Sequence, residues 1–66
     1  MTLDVNGAPR EFVEAITLDA MIDEVLGTSR GTAAVVDGTV VPRSEWAALA
    51  LHDGQHIELI TAVQGG

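Results

Sequence analysis

Three observations predict an α+β domain, a mixed sheet of four to five strands with one main helix. Two turn pairs, Asn6-Gly7 and Asp37-Gly38, each sit between short strand-like runs. Between these hairpins one segment repeats its apolar residues at the helical period. A last alternating run, His56 to Val63, leads to the final residues. The 66 residues make one domain, 1–66, because domains seldom divide below about 100 residues.

Thr2 to Val5 alternates polar and apolar, which directs Leu3 and Val5 inward. Asn6 and Gly7 both tolerate positive φ, so the chain returns as a second strand from Ala8 to Glu14. Pro9 cannot donate to a ladder and places that strand at an edge. Phe12 and Ile16 then point to the core. Thr17 caps a helix from Leu18 to Leu26, and Asp19 suits its positive end. Leu18, Met21, Ile22, Val25 and Leu26 form its apolar stripe, and Gly27 stops it.

Ala33 to Asp37 reads as a third strand, and Thr39 to Val41 returns from the Asp37-Gly38 turn. Arg43 to Ala50 follows as a short helical turn, with Ser44 as its cap and Trp46 packing inward. Asp53-Gly54 makes another turn. His56 to Val63 then sets Ile57, Leu59 and Thr61 on one face and Glu58, Ile60 and Ala62 on the other. A single helix crossing between strands is compatible with first and last strands running parallel at the centre.

Composition removes several function classes. Hydrophobic residues make up 47% of the chain, too many for a disordered acidic tail. The net charge of −7 opposes nucleic-acid binding, which needs a basic face. No apolar run approaches the roughly 20 residues of a membrane span, and no basic-then-apolar leader opens the chain. The expectation is a cytoplasmic protein with no membrane or nucleic-acid partner. There is no cysteine, hence no disulfide and no thiolate. His52 and His56 are too few for a zinc site without carboxylate help. His52 and Asp53 are chain neighbours that point in different directions, so they read as solvated turn residues. No glycine pattern forms a phosphate cradle. The expected metal and catalytic residues are therefore none.

The end of the sequence is the remaining feature. Gly65-Gly66 follow directly on a predicted strand. A carboxylate is ionised at neutral pH and is a poor electrophile, so chemistry at Gly66 requires activation, for example as an acyl adenylate. Gly65 and Gly66 lack a β-carbon and can thread a narrow channel in a partner enzyme. Gln64 to Gly66 are expected to be a flexible tail. Ile60, Ala62 and Val63, beside that tail, are candidates for a partner-docking patch. The chain also lacks lysine, so it cannot form lysine-linked chains of itself.

Three segments match one family: Val41-Pro42-Arg43-Ser44-Glu45-Trp46-Ala47, Asp53-Gly54-Gln55-His56-Ile57-Glu58-Leu59, and Gly65-Gly66. In these, and along Leu18 to Leu26, the sequence resembles the bacterial thiamine-pathway sulfur carriers, the ThiS family, which are ubiquitin-like β-grasp proteins. Gln64 departs from the small residue often found there. The resemblance implies that an E1-like adenylyltransferase uses ATP to adenylate the Gly66 carboxylate. A sulfur donor, usually a cysteine desulfurase persulfide, then converts it to a thiocarboxylate, and thiazole synthase accepts the sulfur. It implies a protein cosubstrate with no bound cofactor, not an enzyme. A carrier for molybdopterin or cysteine synthesis would use the same chemistry at Gly66. A ubiquitin-like modifier of other proteins' lysines, or a non-covalent β-grasp module, are the readings from other classes.

Overall fold

A computed structural model describes residues 1–62. Its two hairpins are set by their turns. Asn6 and Gly7 have φ of 51° and 84°, and Asp37 and Gly38 have 48° and 83°. Two consecutive positive φ values give a type I′ turn, whose twist suits paired strands. The first turn closes β1 (Thr2–Val5) on β2 (Ala8–Glu11), and the second closes β3 (Thr32–Val36) on β4 (Thr39–Val41). A fifth strand, β5 (His56–Thr61), lies between the hairpins, giving the order β2-β1-β5-β3-β4. β5 runs parallel to β1, with Asp4 opposite His56, and antiparallel to β3, with Ala33 opposite Ile60. The first and last strands thus meet at the centre, as expected.

Helix α1 (Leu18–Leu26) occupies the expected residues because both ends are capped. Thr17 Oγ1 accepts from the Ala20 N–H at 3.2 Å, and Gly27, at φ 75°, donates to the Asp23 carbonyl at 2.8 Å. Leu18, Met21 and Ile22 are buried, and Val25 and Leu26 are half-buried. They pack with Leu3, Val5, Ala34, Val36, Ile57 and Leu59 from one face of the sheet. Trp46 is 2% exposed and its indole N–H donates to the Val41 carbonyl at 2.8 Å, which satisfies its polar atom inside the core.

Several boundaries differ from the sequence expectation. β2 stops at Glu11, three residues early. The Phe12 N–H still donates to the Met1 carbonyl, but the chain then turns through Ala15 at φ 59° and buries Phe12. β3 begins at Thr32 and ends at Val36, because Asp37 belongs to the I′ turn. The Arg43 segment is a 3-10 helix, Arg43–Ala48, shorter than predicted. Ser44 does not cap it; Pro42 holds the cap position and no side chain bonds there. Ala50 instead bridges to Thr17. β5 ends at Thr61, and Thr61 is exposed rather than inward, two residues past the buried Leu59.

Candidate functional site

The central strand determines what the uncovered sheet face displays. Along β5, Ile57 and Leu59 point to the core, so His56, Glu58 and Ile60 alternate outward. Register then fixes their neighbours. Ala33 stands opposite Ile60, Val35 opposite Glu58, and Val40 opposite Val35. Ile60 is 51% and Val40 67% exposed, and Val35 is half-buried between them. An apolar strip therefore crosses β5, β3 and β4. A shallow cleft of about 580 Å³ opens on this face, lined among others by Asp4, Asn6, Val35, His56 and Ile60.

Polar groups border the strip. Asp4 Oδ2 lies 2.7 Å from His56 Nδ1, joining β1 to β5 across their outer face. Asp37 receives the His56 backbone N–H and the Gln55 amide, each at 2.9 Å. These donors, the backbone one first, hold its carboxyl below the usual aspartate range. Asn6 extends the parallel ladder with its side chain. Its Oδ1 accepts the Leu59 N–H at 2.8 Å and its Nδ2 donates to the Leu59 carbonyl at 3.3 Å.

The residues after the 3-10 helix anchor β1. Asp53 Oδ1 accepts the Thr2 N–H, and the Gly54 N–H donates to the Thr2 carbonyl, both at 2.8 Å. Asp53 is thus engaged with β1 and does not orient His52. Among the described residues no group of three or more histidine and carboxylate side chains could hold a metal. No helix there is long and apolar enough to cross a membrane.

Ile60 and Ala62, expected beside the tail, are both exposed. The Ala62 N–H donates to the Gly31 carbonyl at 2.8 Å, one rung past the end of β5. Val63, Gln64, Gly65 and Gly66 lie outside the described residues. Sequence reasoning missed Val35 and Val40 as members of the exposed strip. Ala33 to Val36 is apolar throughout, so no alternation marked an outward face; only the pairing to β5 does.

Two hairpins joined through a central parallel strand, with one helix across one face, make a ubiquitin-like β-grasp protein. A crystal structure of the thiamine biosynthesis protein ThiS from Geobacter metallireducens shares this fold, with a TM-score of 0.85, 23% identity and full coverage of both chains. A thiazole synthase of Paramagnetospirillum magneticum is 33% identical over 66 residues, which is all of this chain and 20% of that protein. The chain thus spans one fifth of the length of the curated relative it matches. A model of the ThiS family matches residues 3–66. The chain belongs to the ThiS family.

Proposed function

We propose that this protein carries sulfur on the carboxylate of Gly66 and delivers it for thiazole formation in thiamine biosynthesis. The carrying observation is that the family match runs through the Gly65-Gly66 end. The chemistry supports it. With no cysteine in the chain, sulfur has no side-chain thiol to ride on. A Gly66 carboxylate oxygen attacks the α-phosphorus of ATP in an E1-like adenylyltransferase and expels pyrophosphate. A persulfide then attacks the acyl carbon and expels AMP. Two electrons from a thiol cleave the S–S bond and leave the thiocarboxylate. Thiazole synthase takes the sulfur, and the carboxylate returns. In this role the protein is a cosubstrate that binds no cofactor itself, and it works in the cytoplasm where its ATP-using partner resides. The likeness to a thiazole synthase supports that enzyme as the acceptor.

The exposed strip around Ile60, with the exposed Ala62 beyond it, supplies the docking surface in this reading. An apolar strip on an otherwise polar face is the pattern of a protein interaction site. The net charge of −7 suits partners with basic rims and speeds encounter more than it tightens binding. Intact mass tests the reading. Incubation with ATP, an adenylating enzyme and a persulfide source is expected to yield a species heavier by one oxygen-to-sulfur exchange, localised to the C-terminal peptide. No such species, with the partner enzyme shown active on another carrier, refutes it.

A further inference from the structure

The Val41-Pro42-Arg43 and Trp46 element is not used by the sulfur chemistry proposed above, yet its side chains lead toward Ala62. Trp46 is fixed in the core by its bond to the Val41 carbonyl. The Arg43 guanidinium lies over the Trp46 ring, 4.9 Å from its centroid. From there it reaches the loop between α1 and β3. Its Nη1 donates to Ser29 Oγ at 3.1 Å and its Nη2 to the Ser29 carbonyl at 2.5 Å. The same carbonyl accepts the Thr32 N–H at 3.3 Å, closing a four-residue turn over 29–32. Gly31, third in that turn, has φ of 67°, which L side chains rarely adopt. Its carbonyl holds the Ala62 N–H. A β-carbon on Gly31 would stand 3.5 Å from that of Ala62.

We infer that Arg43 is a positioning residue for the chain end: by clamping Ser29 it fixes the turn whose Gly31 carbonyl forms the rung under Ala62. This inference rests on the sulfur-carrier reading for its consequence, though not for its geometry. Four residues separate Ala62 from the end of Gly66, a span of at most about 14 Å when fully extended. With so short a lead, the position of Ala62 bounds where the carboxylate can reach. Orientation of a reacting group contributes to the chemical step rather than to encounter. Loss of the clamp is therefore expected in kcat, while the Ile60 strip keeps KM in place.

The experiment compares wild type with Arg43→Ala, Arg43→Lys, Ser29→Ala and Arg10→Ala. Arg10 lies on the far edge strand and controls for loss of a positive charge. Amide hydrogen exchange is read at Ala62 and at Leu59, alongside adenylation kinetics with an E1-like enzyme. Arg43→Ala removes both bonds to Ser29 and is expected to loosen the single Gly31 to Ala62 rung, speeding Ala62 exchange between about twofold and tenfold, the range for one hydrogen bond, and leaving Leu59 unchanged. kcat for adenylation is expected to fall by a similar factor with KM within about twofold. Arg43→Lys, keeping charge without the forked donors, falls between. Ser29→Ala keeps the carbonyl acceptor and gives a smaller change if Arg43→Ala proves poorly folded. Unchanged Ala62 exchange overturns the clamp. Faster Ala62 exchange with unaltered kcat overturns the positioning role. A wild-type chain that no adenylating enzyme accepts overturns the carrier reading and the kinetic consequence together, while the exchange rates still judge the clamp.

Discussion

Replacing Asn6 with alanine removes the side-chain amide that completes the β1 to β5 pairing. Leu59 is buried, and its N–H and carbonyl both meet that amide. Leaving the buried N–H without a partner costs about 1–3 kcal/mol. Alanine at the φ of 51° found here adds about 1 kcal/mol, because its β-carbon crowds the following carbonyl. The expected loss is about 2–4 kcal/mol, against a total of roughly 3–10 kcal/mol for a domain of this size. Two companion variants divide the sum. Asn6→Gly tolerates the φ and is expected to lose only about 1–3 kcal/mol. Asn6→Asp keeps the Oδ1 acceptor and loses the Nδ2 donor, so it costs about 1 kcal/mol. Urea unfolding measures all three, and the order of loss is Ala, then Gly, then Asp. Equal losses for Ala and Gly refute the φ argument. A Gly variant within about 0.5 kcal/mol of wild type refutes the ladder argument, since surface changes with no structural role fall in that range.

Truncating Ile60 to alanine is expected to raise the adenylation KM about four- to twelvefold. Its exposed half would contribute about 0.8–1.5 kcal/mol on docking, and Ile60→Asp would exceed that. An unchanged KM in a folded variant removes Ile60 from the interface. The depressed Asp37 carboxyl stabilises the fold when ionised. That contribution is complete above the unfolded value near 3.9 and is lost as pH falls through the lower folded value, so the urea-midpoint gap between wild type and Asp37→Asn is constant above about pH 5 and closes below about pH 4. A gap that persists in acid refutes the assignment. Thr17→Ala removes the α1 cap and is expected to cost about 1 kcal/mol by thermal unfolding. A change under about 0.3 kcal/mol, as small as its replacement by glycine would cause, shows that the cap does little.

The parts of the fold legible in the sequence are those with local causes. Asn6-Gly7 and Asp37-Gly38 announce I′ turns because two adjacent positive φ values need such residues. Thr17, the apolar stripe and Gly27 bound α1 within one short segment. What stayed hidden acts across the chain. Asn6 reads as a turn residue, and nothing nearby indicates that its amide bonds Leu59. Asp53-Gly54 reads as a turn, while its partner is Thr2 at the other end of the sequence. The apolar strip needed the β3 register to place Val35 and Val40 beside Ile60. Of the candidate site, the Gly65-Gly66 end was plain in the residues, whereas Arg43 gained a role only when the turn it grips proved to underlie Ala62.

The placement of β5 between the two hairpins has a thermodynamic consequence. β1 with β2, and β3 with β4, are each only a two-stranded ribbon, which has little stability alone in water. Among the described residues they meet in the sheet solely through β5. Detaching that strand would strand both ribbons at once, so unfolding is all-or-none and half-assembled forms are scarce. The same strand displays Ile60 and leads to the tail. A partner that grips this face thereby tests, in one contact, whether the whole molecule is folded.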